Sequence, residues 1–180
     1  MKNGTILILA LGCFLGFGTL VTSLTPNPDP VGLDALDGFV GTWVTADEEG
    51  NPTEEVVSVV RATAAGSVLM ETMFPGTDHE MITMYYTTGE DLMLTHYCGC
   101  TNHPIMRASK EADGALRFAC IGRGENFAEC ATTQHMHDAV MRFDGDHLKS
   151  SWSMMEDGKP SHGADFDLVR LPVVKEEATR

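Results

Sequence analysis

The sequence predicts an all-β protein of ten short antiparallel strands that run up and down and close into a barrel. After residue 40, apolar residues recur mostly at every second position, a period typical of strands rather than helices. Turn-forming residues recur about every ten residues, so successive strands have short connections and must be antiparallel neighbours. A sheet of this size is expected to close, because closure removes its unpaired edges.

The N-terminal segment predicts a hydrophobic helix that acts as a secretory signal or a membrane anchor. Lys2 precedes an uncharged apolar run over residues 6–21, and small residues up to Ser23 offer a cleavage site. The run is slightly shorter than the roughly 20 residues that span a membrane. We therefore expect residues 1–23 to be a cleaved signal, with an uncleaved anchor or lipidation at Cys13 as alternatives. Export would place the protein in the periplasm or outside the cell.

The remainder of the chain is predicted to form one domain. Residues 24–33 are a proline-rich linker, residues 34–172 the barrel and residues 173–180 a charged tail. A barrel of about 140 residues matches the commonest domain size. The net charge of −14 becomes −15 once Lys2 is removed with the signal. Such an acidic surface argues against nucleic acid and anionic lipid as partners, leaving only the N-terminal segment to contact a membrane.

Each predicted strand is an alternating segment that ends at a turn signal. Residues 31–38 are the one predicted helical stretch after the leader. In chain order the strands cover residues 41–46, 54–62, 67–74, 80–86, 91–98, 105–109, 115–121, 135–143, 147–155 and 162–171. On the fifth strand, Leu94, His96 and Cys98 share one face, which is expected to point into the barrel.

The two ends of the domain resemble the calycin group, which includes the lipocalins and fatty-acid-binding proteins. Gly41-Thr42-Trp43 lies on the first strand and Arg170 ends the last. In that group, a G-x-W motif packs under a basic residue of the final strand and closes one end of the barrel. A guanidinium stacked on an indole suits this role physically. The resemblance implies that Trp43 and Arg170 form the barrel floor.

Internal segments resemble a bacterial lipocalin-like domain family without a described function. They are ETMFPGTDHEMITMYYTTGEDLMLTHYC, HPIMRA and HMHDAVMRFDGDHLKSSWSMMEDGK, and the resemblance covers about residues 34–171. The chain also distantly resembles nitrobindin, a haem-binding calycin whose iron ligand is a histidine of the last strand. That resemblance implies haem as an alternative cofactor, with His162 as the only matching position.

Strand direction predicts that most histidines and cysteines collect at the barrel mouth, opposite the floor. The mouth includes the ends of the odd strands and the starts of the even ones. It gathers six of the seven histidines and all four cysteines of the domain, namely His79, His96, Cys98, Cys100, His103, Cys120, Cys130, His135, His137 and His162. Such a concentration favours a site at this end.

We expect the mouth to admit a small, largely apolar ligand. A concave apolar cavity with a few converging polar groups is the usual form of a small-molecule site, and the eleven methionines suit an adaptable lining. The candidate ligand-binding residues are His96, Cys98, Phe118, His137, Trp152, Met154 and Phe166.

A transition-metal site is the first alternative. Imidazole and thiolate suit zinc or copper, and the candidate ligands are His96, Cys98, His135 and His137. The chain has no C-x-x-C or H-E-x-x-H motif, which lowers the specificity of this signal.

The cysteines also raise the alternative of a disulfide at the rim. Positions on the fifth and seventh strands are about 9.6 Å apart, beyond the roughly 7 Å that a disulfide spans. A bond between Cys98 and Cys120 would therefore need one of them to leave its strand. Cys100 and Cys130 lie in loops and are the predicted pair.

The sequence favours a binding protein over an enzyme. It contains no nucleophile elbow, no Ser–His pair of recognisable spacing and no phosphate-binding glycine loop. Acidic residues, including Glu71, are expected mostly to face solvent. A small hydrolase or isomerase that uses His96 or His137, and a membrane-anchored accessory subunit, are the further alternatives.

Overall fold

A computed structural model describes residues 30–121 and 134–172, apart from the side chain of His162. Ten strands make up nearly all of the regular structure. They are β1 Gly41–Ala46, β2 Pro52–Thr63, β3 Val68–Met73, β4 Met81–Thr88, β5 Asp91–Tyr97, β6 Ile105–Lys110, β7 Leu116–Cys120, β8 His135–Asp144, β9 His147–Glu156 and β10 Lys159–Arg170. Short 3-10 helices cover Leu33–Leu36 and Ala64–Gly66.

The strands form one closed antiparallel barrel, as the sequence predicts. Each strand pairs with its neighbours in the chain, and β1 pairs with β10 to complete the ring. The closing register places Trp43 opposite Arg170. The predicted leader (residues 1–23), Cys130 and the predicted tail (173–180) lie outside the described residues. Within the described part, no helix is both long enough and apolar enough to cross a membrane.

The largest difference in strand bounds concerns the last hairpin. The sequence predicts a turn at residues 157–160, whereas β9 runs to Glu156 and β10 starts at Lys159. Asp157 and Gly158 both have positive φ, 50° and 70°, as in a two-residue hairpin turn. Because such a turn follows the twist of the strands, pairing begins directly with Lys159 opposite Glu156.

Aromatic side chains and one arginine close the barrel floor. The Trp43 indole is fully buried and donates from Nε1 to the carbonyl oxygen of Phe39, 2.8 Å away. The Arg170 guanidinium lies 5.8 Å from the centre of the Trp43 ring, and it donates to the Gly38 carbonyl and to Asp146. The chain before β1 is thereby fixed to the last strand.

The packed domain begins within the predicted linker. Val31 is buried, and its carbonyl accepts a hydrogen bond from the Leu92 N–H.

The glycine of the G-x-W motif has a conformational and a steric role. Gly41 has φ of 149°, a value that side-chain-bearing residues rarely adopt. A Cβ at this position would lie 2.8 Å from Cδ of Arg170. The glycine therefore lets the Arg170 side chain pass close to β1 on its way to Trp43.

Candidate functional site

The mouth brings together the end of β5, the end of β7 and the start of β8. Successive pairing of β5 through β9 fixes the order of these strands around the ring. The described side chains there form two polar groups. The first, which we call the lumen histidine group, contains Thr83, His96 and Trp152. The second, which we call the rim cluster, contains Cys120, His135 and His137.

His96 is the most unusual polar residue of the lumen. It is 1% exposed, and its ring lies 5.3 Å from the Trp152 ring, at a tilt of 42°. Nδ1 is 2.9 Å from the Thr83 hydroxyl, but Nε2 is buried and has no hydrogen-bond partner among the described residues. Burial lowers the pKa of His96 to about 4, so the imidazole is neutral at neutral pH.

The surroundings of Thr83 favour one tautomer of this neutral imidazole. The only other side-chain atom within reach of the Thr83 hydroxyl among the described contacts is Sδ of Met73, at 3.9 Å. A thioether is a weak acceptor and an imidazole nitrogen a strong one. We assign the hydroxyl as the donor to Nδ1 of His96, which places the ring hydrogen on Nε2. The unpartnered atom is then an N–H donor.

A buried carboxyl group, that of Glu71, lies on β3, although it was expected to face solvent. Glu71 is 4% exposed and accepts hydrogen bonds from Ser58 and Tyr85, both 2.7 Å long. Burial raises the pKa of Glu71, and the two hydrogen bonds oppose that rise. The expectation for Glu71 was wrong because it rested on the overall acidity of the chain. Strand alternation was the better signal, since Leu69 and Met73 on the same face are both buried.

These polar residues form a row across three strands. Glu71 of β3 is the register partner of Thr83 of β4, and Thr83 is the partner of His96 of β5. The Tyr85 ring, two residues further along β4, makes edge contacts with Phe39 and Phe118. The polar row therefore lies directly above the aromatic floor.

The rim cluster places three metal-ligand atoms close together. One ligand atom each from Cys120, His135 and His137 lies within 4.8 Å of the other two. Nε2 of His135 and Nδ1 of His137 are 3.0 Å apart, so one imidazole donates a hydrogen bond to the other. His135 is 1% exposed, while the other two side chains are half-buried. Strand direction predicted all three residues at the mouth, but Cys120 was not among the metal ligands predicted from the sequence.

Local irregularities of the sheet shape the rim cluster. The register of β8 with β9 shifts between Met136 and Asp138, and that of β10 with β9 shifts between Ser161 and Ala164. On β8, the shift leaves His137 as an extra residue beside Ser153 of β9, so His137 occupies a β-bulge. On β10, the shift leaves two residues opposite Ser153. Bulges change the direction of side chains and are frequent beside functional sites.

The bulge also brings His137 near an ion pair on the outer side of the barrel. Arg117 and Asp138 lie 2.8 Å apart, and Arg117 is 49% exposed. Burial and the neighbouring His135 lower the pKa of His137, while the charge of Asp138 acts in the opposite direction. The charge of Arg117 also lowers it, and these effects favour the neutral imidazole, which is the form that binds metals.

Cys98 is not on the inward face of β5, contrary to the prediction. β5 ends at Tyr97, and Cys98 begins a tight turn in which the Thr101 N–H donates to the Cys98 carbonyl. Its Sγ accepts from the Cys100 N–H at 3.4 Å. The alternating pattern hid this turn because its first residue is apolar. Burial raises the pKa of the Cys98 thiol, so this thiol is a poor source of thiolate.

The described cysteines, Cys98, Cys100 and Cys120, form no disulfide with one another. The predicted bond between Cys100 and Cys130 involves a residue outside the described range and stays a prediction. The haem alternative depends on His162, whose side chain is not described, and it also stays a prediction.

The remaining predicted ligand contacts divide between the core and the mouth. Phe118 is fully buried and packs against Tyr85. Phe166 is half-buried with its ring 5.9 Å from that of Phe74, and Met154 is half-buried opposite Met136. Their role in ligand binding stays a prediction.

Comparison with known proteins returns no match of significance: no family model, no curated protein and no solved structure. The fold itself is a closed ten-stranded antiparallel barrel, which is compatible with the calycin and lipocalin-like architecture. The family resemblances drawn from the sequence stay predictions.

Proposed function

We propose that the protein binds a small, largely apolar molecule in the mouth half of the barrel. The observation that carries this proposal is the buried Nε2 of His96, which has no partner among the described residues. A buried donor without an acceptor costs about 1–3 kcal/mol. A ligand that supplies an acceptor would recover this free energy, so the lumen favours a molecule with a carbonyl or hydroxyl group.

The apolar character of the ligand follows from the neighbours of His96. The Trp152 ring contacts the imidazole directly, and Met73 lies beside Thr83. Both apolar side chains are buried, with 4% and 5% exposure. A low-polarity wall with one directed donor is the usual composition of a small-molecule site.

The polar group of the ligand is expected to be neutral. His96 has a pKa of about 4 and carries no charge at neutral pH. The other ionisable side chain in the row is Glu71, whose pKa is raised by burial and which supplies no positive charge. An anionic ligand would therefore gain no ion pair here and would lose its hydration.

Binding of octanone and octane would test the proposal directly. The two probes have similar apolar chains, but only the ketone accepts a hydrogen bond. We expect octanone to bind about tenfold more tightly, as one hydrogen bond of about 1.4 kcal/mol implies. His96→Phe should abolish this difference and retain octane binding. His147→Phe, at an exposed position near the floor, is the matched control.

Native mass spectrometry of the protein purified from its own host would complete the test. We expect an adduct of small-molecule mass that is lost on unfolding. The proposal is overturned if the spectrum shows only the bare chain and neither probe binds. Equal binding of the two probes by the unsubstituted protein would overturn the role of His96.

A further inference from the structure

We propose that the rim cluster, formed by Cys120, His135 and His137, binds one transition-metal ion of the zinc or copper type. The inference is independent of the lumen ligand, because it concerns different residues. It also differs from the donor set that the sequence suggested, since Cys120 replaces Cys98 and His96 is not part of it.

The spacing of the three ligand atoms supports the proposal. Two imidazole nitrogens on a tetrahedral zinc are separated by about 3.3 Å, and a nitrogen and a thiolate sulfur by about 3.6 Å, from bond lengths of roughly 2.05 and 2.3 Å. The two histidine nitrogens are 3.0 Å apart, and all three ligand atoms lie within 4.8 Å of one another. Side-chain rotations that move atoms by about 1 Å would complete the coordination.

The strands hold the ligands in place. Cys120 ends β7, while His135 and His137 lie at the start of the neighbouring strand β8. Met106 of β6 is the register partner of Cys120, and Met155 of β9 is the partner of His135. The cluster is thus flanked by paired strands on both sides, and sites on strands are held more precisely than sites on loops.

The donor chemistry selects the class of metal. One thiolate and two imidazoles suit zinc or copper, whereas magnesium and calcium prefer oxygen ligands. Three protein ligands leave a fourth position for water or another ligand. Asp138, the residue after His137, is bound to Arg117 at 2.8 Å and is not required as a ligand.

Metal binding at the rim cluster should release a defined number of protons. At present one imidazole donates to the other through the two nitrogens that face each other. Metal binding breaks this hydrogen bond, and the donating ring moves its hydrogen to its other nitrogen, so the histidines release no proton. The Cys120 thiol loses its proton to solvent when the sulfur–metal bond forms. One proton should therefore be released for each metal ion bound.

The experiment uses the reduced, chelator-treated full chain. Titration with Zn²⁺ against a chromogenic chelator measures affinity and stoichiometry, and titration with Co²⁺ reveals thiolate ligation by its sulfur-to-metal charge-transfer band. We expect one ion per chain, one proton released and a cobalt band. A parallel titration with Cu⁺ under reducing, oxygen-free conditions shows which ion is preferred, and either preference supports the site.

Matched variants identify the ligands. Cys120→Ser should remove the cobalt band and weaken zinc binding at least roughly tenfold, and His137→Gln should weaken it similarly. Cys98→Ser, in the neighbouring turn, and His147→Gln, at an exposed position near the floor, should bind as the unsubstituted protein does. His137 is only half-buried, so its replacement tests the site with little risk to folding.

Other outcomes would overturn the proposal. A cobalt band that survives Cys120→Ser but disappears in Cys98→Ser would place the metal at the turn between β5 and β6. A Cys120 that does not react with a thiol reagent in the unfolded, non-reduced chain would show that it is already bonded. If the unsubstituted protein binds zinc but not octanone, the lumen-ligand proposal is refuted and the metal proposal is not. The two proposals can therefore be refuted independently.

Discussion

Replacing His96 with Gln should make the barrel more resistant to acid. The pKa of this imidazole is about 4 in the folded protein, against 6.5 for an ordinary histidine. The unfolded chain therefore binds a proton at a higher pH than the folded chain does. Stability that is fully present above pH 6.5 is lost as the pH falls toward 4.

The magnitude follows from these two values. A shift of one pKa unit corresponds to 1.36 kcal/mol. Integration over the titration gives a loss of about 2 kcal/mol between pH 8 and pH 5 for the unsubstituted protein. Gln does not titrate, so this part of the loss should be absent from the variant.

Urea unfolding at pH 8 and pH 5 is the measurement. Other buried groups contribute to the pH dependence, because the pKa of Glu71 is raised and that of His137 is lowered. Glu71 acts in the opposite direction, adding stability as the pH falls. These contributions are common to both proteins and cancel in the difference between them. His147→Gln, at an exposed position, is the control and should leave the pH difference unchanged.

The reasoning is refuted if the unsubstituted protein and His96→Gln lose the same free energy of unfolding between the two pH values. Such a result would mean that His96 is accessible to protons in the folded barrel. The imidazole would then be a solvated group rather than a buried donor, and the basis for the lumen ligand would be lost.

Three further substitutions test the interior and the floor. Tyr85→Phe removes a donor to a buried carboxyl group and should cost about 1–3 kcal/mol in urea unfolding. Tyr97→Phe, at an exposed position, is the control and should cost under about 0.5 kcal/mol, and equal costs would contradict the buried network. Arg170→Lys should lower the free energy of unfolding by about 1–2 kcal/mol, because the guanidinium loses hydrogen bonds to the floor. The exposed Lys149→Ala is the control and should have little effect. An Arg170→Lys variant of unchanged stability would argue against the floor arrangement. Gly41→Ala should lower the free energy of unfolding by about 1–3 kcal/mol, and with it the melting temperature, because Gly41 has a positive φ. An unchanged melting temperature would be inconsistent with the observed geometry.

The barrel could be predicted from local features. Alternation over β3 or β5 reports which side chains share a face, and the glycine-containing turns report where the chain reverses. The G-x-W motif and Arg170 indicated a closed floor, and Arg170 does lie beside the Trp43 ring. The concentration of histidines and cysteines at one end followed from strand direction alone.

The two polar groups required the tertiary structure. Cys98 looked like a strand residue, but the hydrogen bonds of its turn begin one residue earlier than the pattern suggests. Glu71 looked exposed because the chain is acidic, yet its strand face turns into the barrel. In both cases a pattern or charge taken over many residues did not reveal the geometry at one position.

The sequence by itself determined the strand order, the closed sheet and the end of the barrel where most histidines and cysteines lie, because alternation and turns act over a few residues. Only the tertiary structure decided which side chains meet there. The meeting of Cys120 with His137 depends on a bulge and on the pairing of β7 with β8. The isolation of the His96 Nε2 depends on Thr83 and Trp152 from two other strands. Distances across strands also depend on register shifts at bulges and on the burial of each side chain, which alternation alone does not reveal.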